Sequence, residues 1–91
     1  MLPIRWREEA LEELERLIFE IAQSNPRSAA HLRDRIVSVV LPLSKHPYLY
    51  RTGRVPGTRE LVAHPNYIVV YKIQPHHIEI ISVIHARRRY P

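Results

Sequence analysis

The spacing of hydrophobic and polar positions changes along the chain, and each change predicts a new element. Residues 2–6 alternate over a short stretch. They predict an edge strand, because Pro3 cannot donate a hydrogen bond to an interior ladder. From Glu8 the apolar residues recur every three or four positions, while glutamates and Arg16 occupy the opposite side. This spacing predicts an amphipathic helix of about four turns.

A second helix is predicted directly after the first. Asn25 can cap its first turn, and Pro26 suits the first helical position. Pro42 is expected to end or kink this helix, because a proline ring clashes with the preceding turn. The apolar residues of one side are Ala29, Leu32, Ile36, Val39, Val40 and Leu43. The short link between two amphipathic stripes predicts a helical hairpin.

The second half of the chain predicts a structured loop followed by a sheet. The loop is indicated over residues 46–57 by prolines and glycines, and apolar runs then predict strands over 58–63, 67–73 and 78–85. The last two runs are apolar on both faces, as in central strands. We expect an α+β fold of order β-α-α-β-β-β in a single domain, residues 1–91. The helical hairpin packs on one face of a small, mainly antiparallel sheet, and the other face keeps an under-covered apolar surface for a partner.

Composition excludes several classes of protein. Apolar residues make up 45% and charged residues 25% of the 91 residues, which argues against disorder. The absence of cysteine excludes disulfide scaffolds, thiolate zinc sites and cysteine nucleophiles. No apolar run approaches the ~18–20 residues that cross a bilayer, and there is no signal-peptide core. We therefore expect a cytoplasmic protein that does not act at a membrane.

Neither a metal nor a cofactor is indicated by the residue pattern. The six histidines have no spacing that completes a ligand set with acidic residues. The chain has two glycines, too few for a glycine-rich phosphate cradle. We expect the protein to work without either group.

Charge is distributed unevenly along the chain. Residues 1–34 contain seven acidic and five basic residues, whereas residues 35–91 contain nine basic and two acidic residues. The net charge is +5 at pH 7. A one-sided positive field of this kind favours a polyanion or an acidic protein as the partner.

The candidate chemistry lies at the end of the last predicted strand. His85 can act as an acid or base near neutral pH, or it can be a strand-end residue that is hydrogen-bonded to the backbone. Arg87, Arg88 and Arg89 follow, and guanidinium groups form paired bonds with phosphates and carboxylates. A solvated basic tail is the alternative interpretation of these arginines.

More arginines lie in and beside the predicted loop. Arg51, Arg54 and Arg59 would share a basic concavity with the C-terminal arginines if the sheet brings them together. Tyr48 and Tyr50 can stack on nucleic-acid bases or pack over the helical hairpin.

Three segments resemble a known family. Residues 54–71 read Arg-Val-Pro-Gly-Thr-Arg-Glu-Leu-Val-Ala-His-Pro-Asn-Tyr-Ile-Val-Val-Tyr, and residues 80–91 read Ile-Ile-Ser-Val-Ile-His-Ala-Arg-Arg-Arg-Tyr-Pro. Both resemble toxins of the RelE/ParE superfamily. Residues 41–50, Leu-Pro-Leu-Ser-Lys-His-Pro-Tyr-Leu-Tyr, are similar to the ParE branch. The resemblance covers nearly the whole chain and implies the toxin of a bacterial type II toxin–antitoxin pair.

The resemblance also implies a partner and a target. The antitoxin would be small, often acidic and partly disordered when free, and DNA would be contacted only through it. ParE-like members trap DNA gyrase on cleaved DNA, whereas RelE-like members cleave mRNA on the ribosome. For a ribonuclease, the resemblance implies a catalytic set of Arg59, His85, Arg87 and Tyr90. That set is incomplete, because ribonuclease members usually have an arginine where this chain has Ile68.

We therefore expect a growth inhibitor that poisons DNA gyrase. The residues expected to contact the target are Arg59, His85, Arg87, Arg88 and Arg89, while the residues that contact the antitoxin stay unassigned. Ribosome-dependent mRNA cleavage is the alternative. A second alternative is a basic nucleic-acid-binding module, whose affinity would fall steeply with salt. Neither predicted helix has a basic face suited to a DNA groove, which disfavours that module.

Overall fold

The computed structural model describes residues 1–87 as two helices on a five-stranded sheet. The helices are α1 (Glu8–Ala22) and α2 (Pro26–Val40), and the strands are β1 (Ile4–Trp6), β2 (Arg51–Thr52), β3 (Arg59–His64), β4 (Tyr67–Ile73) and β5 (Ile78–His85). The predicted α+β class and helical hairpin are confirmed. The predicted bounds of β4 and β5 are also confirmed, and β3 begins one residue later than predicted.

The sheet has the strand order β1-β5-β4-β3-β2. β1 pairs with β5 in parallel, and the other neighbours are antiparallel. The Pro3 carbonyl accepts a hydrogen bond from the Ile78 N–H at 2.8 Å, which extends the β1–β5 pairing. As Pro3 predicted, β1 lies at an edge, and the strongly apolar β4 and β5 lie inside the sheet.

Two local details differ from the sequence prediction. β2 lies inside the predicted loop and contains only Arg51 and Thr52, two residues without an apolar pattern. α2 ends at Val40, and a short 3₁₀ helix continues over Leu41–Ser44. Pro42 occupies this tighter turn, so the expected break comes just before the proline.

The main core lies between the hairpin and the sheet. Ile36 of α2, Leu43, Leu61 of β3 and Tyr71 of β4 are among its fully buried side chains. Leu61 and Ala63 of β3 belong to this helix-side face, and Arg59 precedes them at the start of the same strand. Any functional group on that face must therefore lie at the end of the strands, beyond the packed centre.

The opposite face of the sheet is less open than the sequence predicted. Ile68, Val70 and Ile84 form a second apolar cluster in which each residue is at most 5% exposed. Val62 lies beside Ile68 in the register and is 51% exposed. Ile81 and Ala86 are partly buried beside this cluster, so among the described residues this face exposes less apolar surface than predicted.

The helices begin as their sequences indicate. The Asn25 side-chain oxygen accepts a hydrogen bond from the Ser28 N–H at 3.0 Å, and Pro26 is the first residue of α2. Glu8 and Glu9 occupy the first turn of α1, where negative charge is favourable to the helix dipole. Neither helix in the described part of the chain is long and apolar enough to cross a membrane.

Candidate target-binding sites

His85 belongs to a row of three rings across the end of the sheet. The register places His64 of β3 beside Tyr67 of β4, and Tyr67 beside His85 of β5. The ring centroids are 5.7 Å apart for His64 and Tyr67, and 5.4 Å apart for Tyr67 and His85. Cross-strand aromatic pairs of this kind stabilise a sheet. They also fix the position of His85.

Both imidazoles are held by backbone hydrogen bonds. The His64 Nδ1 accepts from the Asn66 N–H at 3.0 Å, and the His85 Nδ1 accepts from the Arg87 N–H at 3.1 Å. An imidazole that accepts at Nδ1 carries its proton at Nε2 when it is neutral. His85 is therefore a strand-end residue hydrogen-bonded to the backbone, which was one of its two predicted roles. Its exposed Nε2 is set up to donate.

A shallow groove of about 180 Å³ lies between α1 and the end of β5. Arg16 and Glu20 of α1 and His85 are among the residues that line it. Arg87 is exposed nearby in the turn after β5. Arg88, Arg89 and Tyr90 lie outside the described residues. The described part of the C-terminal site is thus His85, Arg87 and the adjacent groove.

Arg59 lies at the opposite end of the sheet from His85. Arg59 is the first residue of β3 and pairs with Tyr71, whereas His85 is the last residue of β5 and pairs with Tyr67. Four residues along β4 separate the two levels, which amounts to about 13 Å at the usual rise of a strand. The sheet therefore does not bring Arg59 and His85 to a common point.

Arg59 instead organises the loop that follows α2. Its Nη1 donates to the Tyr50 carbonyl at 2.7 Å and to the Tyr48 carbonyl at 3.4 Å. Its guanidinium carbon also lies 5.0 Å from the centroid of the Tyr48 ring, which is a cation–π arrangement.

Arg51 and Arg54 are committed to a buried carboxylate. The Glu60 side chain is 2% exposed and accepts from the Arg51 Nη2 at 2.9 Å and from the Arg54 N–H at 3.1 Å. The Arg54 Nε lies 3.5 Å from the same carboxylate. The sheet therefore does not bring Arg51, Arg54 and Arg59 together with Arg87. Arg88 and Arg89, the other members of the predicted concavity, lie outside the described residues. The single Glu60 carboxylate offsets one of the two guanidinium charges of Arg51 and Arg54.

A cleft of about 460 Å³ opens beside Arg59, and we call it the Arg59 cleft. Its lining residues are Tyr48, Thr52, Gly53, Pro56, Gly57, Thr58, Arg59 and Ile73. Tyr48, Thr52, Gly53, Pro56 and Gly57 belong to the predicted loop over 46–57, and the other three residues belong to predicted strands. A cleft was not predicted. The available signal was the presence of both glycines of the chain between a tyrosine and an arginine.

The described residues do not form a metal site. Within residues 1–87, no three histidine, aspartate or glutamate side chains come close enough together to hold a metal ion.

The sequence matches the family of ParE toxins of the type II toxin–antitoxin system, parDE, over residues 4–90. The chain belongs to this family. It is also similar to a Sinorhizobium fredii protein named "Putative toxin Y4kP". The two are 38% identical over 89 residues, which cover 97% of this chain and 92% of the relative. The protein is therefore a ParE-type toxin, as the resemblance implied.

Solved structures show the same fold. A structure entitled "Chromosomal ParDE TA system from P. aeruginosa" matches with a TM-score of 0.84 and 21% identity, and covers 93% of this chain and 96% of that one. A Staphylococcus aureus YoeB dimer matches with a TM-score of 0.63 and 17% identity, and covers 98% of both chains. At these identities the likeness concerns the fold alone.

Proposed function

We propose that this ParE-type toxin inhibits growth by poisoning DNA gyrase in the cytoplasm and is neutralised by a cognate antitoxin. Membership of the ParE family is the observation that carries this proposal. A gyrase poison needs a binding surface and no catalytic set of its own. The groove beside His85, with exposed Arg87 nearby, offers charged groups for such a surface.

The geometry weighs against the ribonuclease alternative. Cleavage of RNA requires a base, an acid and cations that all act on one phosphate. Arg59 and His85 are four residues apart along β4, and the Arg59 guanidinium is bound to the Tyr50 carbonyl, so Arg59 and His85 do not converge on one phosphate in this arrangement. Ile68 is 3% exposed and lies in the second apolar cluster, so it provides no cation.

An antitoxin is the second part of the proposal. The structural neighbour from P. aeruginosa is entitled a ParDE toxin–antitoxin system, which supports such a partner for this chain. The positive balance of residues 35–91 suits an acidic partner. DNA would be contacted by the complex through the antitoxin during repression of the operon.

We assign target binding to His85 and to Arg87, Arg88 and Arg89, with Arg59 contributing from a separate place. The expected result is that a triple alanine variant of the three C-terminal arginines loses toxicity and keeps its fold. Growth of a bacterial host after induction of the protein measures toxicity, and circular dichroism measures the fold.

A matched control separates position from total charge. Arg5, Arg27 and Arg33 are exposed arginines at other positions, so their triple alanine variant removes the same charge. That control should remain toxic. Full toxicity of the C-terminal triple variant, or equal loss in both variants, would contradict a specific role for the C-terminal arginines.

A further inference from the structure

The Arg59 cleft has a backbone shape that depends on its two glycines. A Cβ atom at Gly53 would overlap the Thr58 hydroxyl, so a larger residue does not fit there. Gly57 has a φ of +84°, in the left-handed region that favours glycine. The two glycines of this chain thus both border one cleft, and both are required by its geometry.

Hydrogen bonds within the loop, and bonds from the loop to Glu60 of β3, hold the walls of the cleft in place. The Gly53 N–H donates to the Thr58 carbonyl at 2.7 Å, and the Thr58 N–H donates to the Val55 carbonyl at 3.1 Å. Glu60 fixes the same loop through its bonds to Arg51 and Arg54. A preformed cleft of this kind costs little entropy when a ligand binds.

The cleft combines the exposed ring of Tyr48 with the guanidinium of Arg59, which has N–H donors left for a ligand. Tyr48 is 69% exposed although the Arg59 guanidinium lies against its ring. The Arg59 Nη1 is used by two carbonyls, while its Nε and Nη2 make no hydrogen bond with the described residues. A tyrosine ring stacks on a base, and a free guanidinium edge binds phosphate.

We propose that the Arg59 cleft binds an unpaired nucleotide of single-stranded DNA. Tyr48 stacks on the base and Arg59 holds the adjoining phosphate. The net charge of +5 attracts a polyanion, and about 460 Å³ lies within the usual size range of small-ligand sites. This inference rests on the proposed function, because a toxin that traps gyrase on cleaved DNA acts next to broken DNA strands.

Binding to a short fluorescein-labelled oligothymidylate, followed by fluorescence anisotropy without gyrase, tests the inference. Tyr48→Ala should weaken binding about 5- to 150-fold, the effect of losing one stacked base. The slope of affinity against salt should stay unchanged, because tyrosine carries no charge. Tyr48→Phe keeps the ring and should bind like the unmodified protein.

Leu49→Ala is the matched control, because Leu49 adjoins Tyr48 in the same loop, is 67% exposed and does not border the cleft. It should bind normally. Arg59→Gln should weaken binding and lower the salt slope by about 0.7, the value for one phosphate contact on a single strand.

Two results would overturn the inference. One is equal affinity of the Tyr48→Ala and Leu49→Ala variants for the oligothymidylate. The other is that oligouridylate or duplex DNA binds more tightly than the oligothymidylate and loses this affinity in Tyr48→Ala. The anisotropy measurement contains no gyrase, so failure of the inference and failure of the proposed function can be told apart. If the protein binds the oligothymidylate through Tyr48 but does not trap gyrase, the proposed gyrase poisoning is wrong and the nucleotide site stands.

Discussion

At the scale of single residues, Glu60 is the group on which the loop before β3 depends. Its buried carboxylate accepts hydrogen bonds from Arg51 and from the Arg54 backbone. Removing one partner of a buried charged pair is destabilising because the hydrogen bonds that compensated its burial are lost.

Glu60→Gln should therefore lower the free energy of unfolding by about 1–3 kcal/mol, since both arginines keep access to water. Urea unfolding followed by circular dichroism measures this. Glu12→Gln, at an exposed position of α1, is the control and should change stability by less than about 0.5 kcal/mol. Equal stability of the two variants would show that Glu60 does not hold the loop.

Tyr71 links the sheet to the start of the same loop. Its hydroxyl donates to the Pro47 carbonyl at 2.7 Å, and its side chain is fully buried. Burial raises the pKa of Tyr71 to about 12, against the opposing charge of Arg59. The folded protein therefore holds this proton more tightly than the unfolded chain does.

The contribution of Tyr71 to stability should be complete below pH ~10 and should decline as the pH rises to about 12. Tyr71→Phe should lose about 0.5–1.5 kcal/mol at neutral pH and should lack this alkaline decline. Urea unfolding of both proteins over the alkaline range provides the comparison. If the free energy of unfolding of the two proteins changes with pH in the same way, the folded state does not raise the pKa of Tyr71.

The sequence predicted where His85 lies in the fold, but it did not predict which side chains the loop arginines contact. His85 was correctly placed at the end of the last strand, since the apolar run stops there. The pairing of Arg51 and Arg54 with Glu60 was missed, because it depends on the two-residue β2 and on burial of a carboxylate within a strand. Contacts of this kind arise from tertiary packing, which the residue pattern does not contain.

At the scale of elements, α2 depends on its first turn. The Asn25 side chain satisfies the Ser28 N–H, which has no partner inside the helix. Asn25→Ala should lower the free energy of unfolding by about 1 kcal/mol, within a usual range of about 0.5–2. Asn25→Ser keeps a capping oxygen and should lose much less. Chemical unfolding measures both, and equal losses would contradict the capping role.

The elements with the clearest local signals were predicted best. The turns around Pro65 and Pro75 delimit β4, and the bounds of this strand were correct. β2 was missed because two polar residues carry no periodicity. The strand order also needs information about distant pairing, such as the parallel contact of β1 with β5 across α1 and α2.

At the scale of the whole molecule, the two candidate sites lie at opposite ends of the strands. His85 and Arg87 mark one end, and Arg59 with its cleft marks the other. A basic concavity shared by Arg59 and the C-terminal arginines was predicted, because the residue pattern does not show which strand ends lie close together. Separated sites suit a protein that binds an extended target better than one that acts on a single phosphate.

Gyrase poisoning is the central claim, and a plasmid cleavage assay tests it most directly. Purified gyrase, ATP, supercoiled plasmid and this protein are incubated, treated with detergent and protease, and scored for linear DNA. The proposal predicts that linear DNA accumulates, and that it disappears when the cognate antitoxin is added or when Arg87, Arg88 and Arg89 are replaced by alanine. Absence of linear DNA with a preparation of the protein that is toxic to cells would contradict the claim.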